Sequence, residues 1–213
     1  MEQRRLQARI FQISDDKDLS HKVFEFRKHI FIDRMGWDLD LSDGVEKDEF
    51  DKTYTLYCAL LSDEQLVGTF RAIRCDKPYL SARVFPALAK FEKYPITWDY
   101  WEISRFAALD PQVSWQLYAA MLDFGWSRQA RALVALVDLG HERILRMLGI
   151  HVRRYGPPSH VGKTRHGQPI RAVAGEIPLL DQKPTLRAAV TDALSTMEIF
   201  DETLVFRPDR ISA

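Results

Sequence analysis

Cysteine is scarce in this sequence: Cys58 and Cys75 are the only two among 213 residues, and both lie in apolar stretches. Neither belongs to a CxxC pair, and no HExxH motif occurs, so nothing here favours a zinc site or another bound metal. We therefore expect two buried, reduced thiols, as in a cytosolic protein. Long apolar runs are also missing, and none approaches the roughly 20 residues of a membrane span.

An excess of charge of either sign is missing as well. The chain has 30 basic and 30 acidic residues, whereas a general nucleic-acid binder is usually clearly basic. The phosphate-binding motifs GxGxxG and GxxxxGK(S/T) are absent, which argues against dinucleotide-binding and P-loop folds. The basic N-terminus has no apolar core behind it, so it does not resemble a secretory signal. These absences predict a cytoplasmic protein that binds no nucleic acid.

The composition that remains, 46% hydrophobic and 28% charged, is typical of a soluble globular protein, and we expect one domain over residues 1–213. Apolar periodicity and turn residues predict the elements. In chain order these are an edge strand at Gln7–Ile13, a helix at Asp16–Arg34, a hairpin of Tyr54–Leu61 and Gln65–Cys75, a strand at Tyr100–Leu109, a helix at Val113–Arg131, a strand at Ala132–Asp138, a short helix at Gly140–Leu148, strands at Ile150–Tyr155 and Ile170–Pro178, and a helix at Pro184–Phe200. This order predicts an α/β (α+β) fold in which helices flank one mixed sheet.

Two arginines interrupt apolar faces. Arg27 follows Val23 and precedes Phe31 by four residues each, on the apolar stripe of its helix. Arg71 shares a strand face with Ile73. A charge at such a position needs a partner or a polar cleft. Either arginine could form a buried ion pair, or its planar guanidinium could bind an anionic ligand.

The stretch 35–53 has no periodicity and is expected to form a long loop. It carries Trp37 and then the carboxylates Glu46, Asp48 and Asp51. One interpretation is a solvated acidic loop with a tryptophan lid. The other is a pocket for a cation, because carboxylates attract positive charge and an indole face adds cation–π attraction. A sulfonium is such a cation.

Glu102 and Arg105 lie three residues apart on one predicted strand. Strict alternation places their side chains on opposite faces, so acting together requires a bulge or a splayed strand end. The alternative is a cross-strand ion pair or one exposed side, and the sequence leaves both open. The histidines show no metal-ligand spacing; those considered are His141, His151, His160 and His166.

These features together resemble a known family. The motifs are Arg27-Lys28-His29-Ile30-Phe31, Arg34-Met35-Gly36-Trp37, Glu46-Lys47-Asp48-Glu49-Phe50-Asp51, Arg71 and Glu102-Ile103-Ser104-Arg105-Phe106. In this order and spacing they are similar to the pattern of LuxI-type acyl-homoserine-lactone synthases, the autoinducer synthase family. The similarity is strong over residues 20–110 and weak through Ala132–Gly149 and residues 155–158.

The resemblance implies a fold and a reaction. The fold would be like that of GCN5-related N-acyltransferases, with a mixed sheet splayed to admit a thioester. The substrates would be S-adenosylmethionine and an acyl chain on acyl carrier protein or coenzyme A, with no separate cofactor. The amine of S-adenosylmethionine would attack the thioester, and the substrate's own carboxylate would then displace methylthioadenosine and close a lactone. The product would be a quorum-sensing signal.

The resemblance also implies site residues. Glu102 is the expected base for the amine, directly or through water. The other expected catalytic residues are Arg105, Asp48 and Arg71. The expected substrate-binding residues are Arg27, Phe31, Trp37, Glu46, Asp51, Ser104, Phe106 and Ala135. The alternative, equally open for Asp51 and Arg71, is that the charges build the pocket through ion pairs without touching substrate.

The acyl half of the site carries less information. In members of the family that this sequence resembles, a threonine on the strand before the short helix often accompanies 3-oxo signals. The nearest counterpart here is Ala135, whose side chain offers no hydrogen-bond donor, and this favours an unsubstituted chain. Several basic residues could dock an acidic carrier protein or could simply be solvated: Arg128, Arg131, Arg143, Arg146, Arg153 and Arg154.

Two other functions fit parts of the pattern. An N-acetyltransferase that uses acetyl-CoA would need a glycine-rich turn after the strand Trp101–Leu109 to hold the pyrophosphate, but residues 110–114 contain no glycine. A non-enzymatic regulator that senses S-adenosylmethionine would keep Arg27 and Trp37 and would not need Glu102.

Overall fold

The structure, a computed structural model, describes residues 5–204, apart from the side chain of Gln112. Its strands are β1 (Leu6–Gln12), β2 (Leu41–Ser42), β3 (Val45–Glu46), β4 (Leu56–Ser62), β5 (Gln65–Arg74), β6 (Tyr100–Ala108), β7 (Ala132–Asp138), β8 (Arg153–Arg154), β9 (Ser159–Lys163), β10 (Pro169–Pro178) and β11 (Met197–Asp201). Its helices are α1 (Lys17–Arg27), α2 (Leu80–Val84), α3 (Pro111–Ser127), α4 (Leu139–Met147) and α5 (Pro184–Leu194), with a π-helix at Lys28–Arg34 and a 3-10 helix at Pro86–Leu88.

One mixed sheet organises these elements. Nine strands form it, in the order β11-β1-β4-β5-β6-β7-β10-β8, with β9 also paired to β10, while β2 and β3 form a separate hairpin. The pairs β1–β11 and β6–β7 are parallel, and the other pairs of the sheet are antiparallel. Helices α3 and α5 pack against this sheet through a shared apolar cluster. The predicted mixed α/β architecture is confirmed.

The sheet is splayed between β6 and β7. Their pairing runs only from Tyr100–Ala132 to Glu102–Val134, although β6 continues to Ala108 and β7 to Asp138. A bulge in β6 accompanies this change, since its register with β5 shifts between Thr69 and Arg71. The bulged backbone places Arg105 at a left-handed φ of 53°, a conformation that side chains other than glycine adopt only at a cost. A gap therefore opens in the middle of the sheet.

Helix α3 shows why the sheet is firmly covered on one side. Its residues Leu117, Met121 and Phe124 recur at helical spacing, and all three are buried, as the apolar stripe predicted. Burying such side chains contributes roughly 1.5–3 kcal/mol each. The helix ends at Ser127 rather than at the predicted Arg131.

Helix α1 packs against strands β1 and β4 and continues into a π-helix. Asp16 caps it by accepting a hydrogen bond from the Leu19 amide at 2.9 Å. Val23 and Phe24 pack against Phe11 and other residues of a second apolar cluster. The predicted helix Asp16–Arg34 is confirmed in extent, but from Lys28 its hydrogen bonding changes to that of a π-helix, a form often found at functional sites.

The C-terminal part of the chain corrects two predictions. The helix predicted at Pro184–Phe200 ends at Leu194, and Met197–Asp201 forms β11 beside β1. Because Met197 and Ile199 alternate onto the main core, their two-residue period outweighs the helical continuation. The strand predicted at Gln7–Ile13 is therefore not an edge strand.

Smaller corrections concern the hairpins. The strand predicted at Ile150–Tyr155 is limited to Arg153–Arg154, and Ser159–Lys163 forms a strand that the sequence did not predict. The loop 35–53 contains the short β2–β3 hairpin. Cys58 and Cys75 are free and buried, as predicted. Within residues 5–204, no helix is long and apolar enough to cross a membrane, and no group of three or more His, Cys, Asp or Glu side chains could hold a metal ion.

Candidate functional site

A cavity of about 540 Å³ occupies the gap between β6 and β7. Its walls come from the unpaired halves of these two strands, from the π-helix and the loop after it that contains Trp37, and from the β9–β10 hairpin. This volume is in the range of small-molecule sites. Six of the residues predicted for the site lie in its wall: Phe31, Trp37, Ser104, Arg105, Phe106 and Ala135.

A network of buried charges connects to this wall through Arg105. It pairs three arginines with three carboxylates: Arg27, Arg71, Arg105, Glu46, Asp48 and Asp51. The formal charges of the six side chains cancel. The network joins the end of α1, the loop 35–53 and strands β5 and β6, which are distant in sequence. The ion pairs that the alternative reading required are therefore present.

Asp51 is the centre of the network. Its carboxylate accepts hydrogen bonds from Arg27 Nη1 at 2.9 Å, Arg27 Nη2 at 3.1 Å and Arg71 Nη1 at 3.0 Å. It also accepts from the Tyr57 hydroxyl at 2.9 Å and the Asp48 amide at 2.8 Å. Burial by itself would raise the pKa of Asp51, but the charges of Arg27 and Arg71 outweigh it and hold that pKa well below its usual range.

Glu46 and Asp48 connect Arg105 to the other two arginines of the network. Glu46 accepts from Arg27 Nε at 2.5 Å and from Arg105 Nη2 at 2.9 Å. Asp48 accepts from Arg71 Nη1 at 2.5 Å and from Arg105 Nη2 at 2.9 Å. Although burial opposes it, the pKa of Glu46 is lowered by Arg27 and Arg105. Glu46 therefore stays ionised. Arg105 is the member of the network that borders the cavity.

An aromatic pair forms the wall beside Arg105. The rings of Phe31 and Trp37 are stacked, with centroids 5.0 Å apart and planes at 21°. The Trp37 amide donates to the Phe31 carbonyl at 2.8 Å, and Trp37 also bridges Thr164. Gly36 supports this turn at a left-handed φ of 67°, which glycine adopts without strain. Aromatic faces of this kind attract cations.

Glu102 is placed differently from the other predicted residues. It is fully buried, outside the cavity wall, and its carboxylate accepts from the Leu80 amide at 3.0 Å, the Ser81 amide at 2.7 Å and the Ser81 hydroxyl at 2.5 Å. Burial raises the pKa of Glu102, against the opposing effect of these Ser81 hydrogen bonds. Leu80 and Ser81 do lie in the wall. Glu102 therefore lies outside the wall and is hydrogen-bonded to two residues that belong to it.

The question of whether Glu102 and Arg105 share a face is settled by the bulge. Ser104 pairs with Arg71 across the sheet, and its hydroxyl accepts from Arg71 Nε at 3.0 Å. Glu102, two residues earlier, shares that face. The bulge turns Arg105 toward Asp48, which Arg71 also binds. The bulge that acting together would require is present, while Glu102 and Arg105 have different hydrogen-bond partners.

Arg27 and Arg71 were predicted to bind substrate or take part in catalysis, but neither lies in the cavity wall and both are fully buried. Glu46, Asp48 and Asp51 likewise stand behind the wall. Other wall or wall-supporting residues escaped prediction: Ser81, Tyr118 and His141. The region of Ser81 has no periodicity, Tyr118 is hidden in an apolar stripe, and His141 was considered only as a metal ligand. Signals for them were weak.

Comparison with known proteins decides what this site belongs to. Residues 11–173 match the family described as autoinducer synthase. The chain belongs to the autoinducer synthase family. The acyl-homoserine-lactone synthase of Acinetobacter nosocomialis is 30% identical over 162 residues, which cover 70% of this chain and 88% of that relative. This autoinducer synthase is therefore an acyl-homoserine-lactone synthase, an acyltransferase, as the sequence resemblance predicted.

Solved structures confirm the fold of this autoinducer synthase. TofI, in a ternary complex with an inhibitor and MTA, superposes with a TM-score of 0.72 and 27% identity, covering 84% of this chain and 99% of that one. BjaI, a CoA-dependent acyl-homoserine lactone synthase with SAM and isopentyl-CoA, gives a TM-score of 0.79 at 22% identity, covering 95% of both chains. The likeness to BjaI supports the splayed mixed sheet.

Proposed function

We propose that this autoinducer synthase binds S-adenosylmethionine against the Phe31–Trp37 pair and acylates its amine with a thioester held between β6 and β7. The observation that carries the proposal is the single cavity that joins the aromatic pair, Arg105 and the gap in the sheet. TofI was crystallised with MTA and BjaI with SAM and an acyl-CoA, which supports the same pairing of substrates.

The way in which the site would bind S-adenosylmethionine follows from the charges of this substrate. The sulfonium would meet the faces of Phe31 and Trp37, and the carboxylate would meet Arg105, whose Cζ lies 5.9 Å from the Phe31 ring. Arg27 and Arg71 would not touch substrate. They would position Arg105 through Glu46 and Asp48, and because the network is neutral, it would not repel the cationic substrate.

The acyl transfer needs a neutral amine. The amine proton would leave to the Ser81–Glu102 pair, since Ser81 belongs to the cavity wall and its hydroxyl donates to the buried Glu102. The amine then forms the new C–N bond, and the thiolate of the acyl carrier leaves. In the second step the substrate's carboxylate oxygen attacks the γ-carbon, and the C–S bond to methylthioadenosine breaks. The enzyme mainly has to hold the chain folded for this ring closure.

One assay tests the reaction. Purified protein is incubated with S-adenosylmethionine and a panel of acyl carrier protein and acyl-CoA thioesters, and the products are analysed by mass spectrometry. We expect methylthioadenosine and an acyl-homoserine lactone in equal amounts with at least one donor. Absence of both products across the panel would refute the proposal. Methylthioadenosine without lactone would point to a hydrolase.

The donor is proposed to be acyl carrier protein, which is strongly acidic. The exposed face of α4 presents Arg143 and Arg146 beside the cavity residue His141. Of the basic residues considered for docking, Arg128 is excluded, since its side chain is 7% exposed and paired with Asp201. We also propose a cytoplasmic localisation, because acyl thioesters and S-adenosylmethionine are made in the cytoplasm.

The variant Arg143→Glu tests this surface. Reversal of one rim charge should raise the KM for acyl carrier protein thioesters several-fold, since such charges steer association. The KM for acyl-CoA of the same chain length should change less. Lys22→Glu, at an exposed position of α1, is the matched control. Equal effects of both variants on both donors would contradict docking at α4.

A further inference from the structure

His141 is a polar residue in the acyl part of the cavity. It lies in the first turn of α4, directly after β7, and its side chain lines the cavity together with Ala135 and Val137. Its backbone is fixed, because the Asp138 side chain caps the helix and accepts from the His141 amide at 2.9 Å. The ring is therefore held at the end of the gap between β6 and β7 rather than on a mobile loop.

Two aromatic rings orient this imidazole. His141 Nε2 lies 3.0 Å from the Tyr118 hydroxyl, at hydrogen-bond distance. Phe106 is stacked on Tyr118 with centroids 4.5 Å apart and meets the His141 ring edge-on at 5.5 Å. Burial lowers the pKa of His141, so its ring is neutral near pH 7. A neutral ring that accepts the Tyr118 proton at Nε2 carries its own hydrogen on Nδ1.

Nδ1 is the nitrogen that remains for a ligand. Within residues 5–204, the ring makes no hydrogen bond other than that to Tyr118. Arg105 and Trp37 belong to the part of the wall assigned to S-adenosylmethionine, and most other polar side chains of the wall have a partner or are exposed. Ser81 donates to Glu102, Ser104 accepts from Arg71, Arg105 pairs with Glu46 and Asp48, Asp138 caps α4, and Lys163 is exposed.

We propose that His141, held by Tyr118, hydrogen-bonds an oxygen on the acyl chain and makes the enzyme select an oxygen-bearing chain over a plain one. The proposal rests on the proposed function. It revises the expectation drawn from Ala135, since the missing donor is supplied from α4 instead of β7. The ring can serve either type of oxygen, because Nδ1–H donates to a carbonyl and the other tautomer accepts from a hydroxyl. Thioesters of fatty-acid elongation carry such an oxygen at C3.

The test compares 3-oxo, 3-hydroxy and unsubstituted thioesters of one chain length on one carrier. We expect the native enzyme to show a higher kcat/KM for at least one oxygenated chain. His141→Met, which keeps the volume but removes the nitrogens, should lower the ratio of oxygenated to plain kcat/KM about tenfold, equivalent to about 1.4 kcal/mol. Tyr118→Phe should lower the ratio in the same direction. It provides a second reading if His141→Met fails to fold.

His151→Met is the control, since the side chain of His151 lies outside the cavity wall, and it should leave the ratio unchanged. Three results would overturn the proposal: a native preference for the plain chain, an unchanged ratio in both variants, or an equal loss with every thioester. The last result would mean that His141 acts on the chemistry and not on selectivity. If no thioester yields methylthioadenosine, the proposed function itself fails, and the two failures are thereby distinguished.

Discussion

The buried carboxylate of Asp51 accepts hydrogen bonds from both fully buried arginines of the network. Asp51→Asn keeps the shape of the side chain but leaves two fully buried arginines, Arg27 and Arg71, with one carboxylate fewer. The six-residue network then carries one net positive charge in a place where water cannot screen it. Removing one partner of a buried ion pair costs about 3–5 kcal/mol, because the remaining charge stays buried without compensation.

This cost should appear in a thermal melt. For a chain of this size, each kcal/mol shifts the Tm by roughly 2–4 °C, so we expect a decrease of roughly 6–20 °C. Tyr57→Phe is the matched control, because it removes only the 2.9 Å hydrogen bond from the tyrosine to Asp51 and should cost about 1 kcal/mol. A decrease for Asp51→Asn no larger than that for Tyr57→Phe would refute the reasoning about charge.

The same variant predicts a pH dependence. The folded pKa of Asp51 is depressed below its unfolded value of roughly 4, so its contribution to stability is present above that pH and is lost as the pH falls toward the folded pKa. Glu46 is depressed in the same direction. The difference in Tm between the native enzyme and Asp51→Asn should therefore be largest near pH 7 and shrink below about pH 4. A difference that stays constant from pH 7 to pH 3 would contradict this assignment.

Two further predictions concern the substrate half. Glu102→Gln should lower kcat by about 10²–10⁴-fold while calorimetric binding of S-adenosylmethionine is retained; in the native enzyme the acid limb of the kcat/KM profile should lie above the pKa of an ordinary glutamate, because burial raises that of Glu102. Full activity of the variant would remove the base assignment. Trp37→Ala should raise the KM for S-adenosylmethionine roughly three- to thirtyfold through loss of the stacked cation–π wall, and an unchanged KM would place the sulfonium elsewhere.

Periodicity made most of the fold predictable. The helical stripe of α3 and the apolar run of β7 are local patterns that survive in the structure, because both contribute buried side chains to the main core. The prediction failed where the chain leaves a helix and pairs with a strand that is distant in sequence. Residues 195–200 follow helix α5, and Met197–Asp201 forms a strand by pairing with β1, 191 positions earlier. The two-residue period of Met197 and Ile199 is too short to reveal that partner from the sequence alone.

The site was predictable in its residues more than in its geometry. Charges on apolar faces marked Arg27 and Arg71 as unusual, and the structure gives the reason, since both are fully buried among carboxylates. What the pattern could not show is which charges border the cavity. That depends on the bulge in β6, and a bulge is a change of register between two strands and not a property of either sequence.

The bulge also explains how one short motif serves two purposes. Ser104 and Glu102 keep normal alternation and stay on the Arg71 face, where Glu102 is sealed by the start of α2. Arg105, at its left-handed φ of 53°, leaves the alternation, lies in the cavity wall and binds Glu46 behind it. If this strained turn is what aims Arg105, then Arg105→Lys should retain the backbone but lose the forked contact to two carboxylates. The variant should then lose more free energy of S-adenosylmethionine binding than free energy of unfolding.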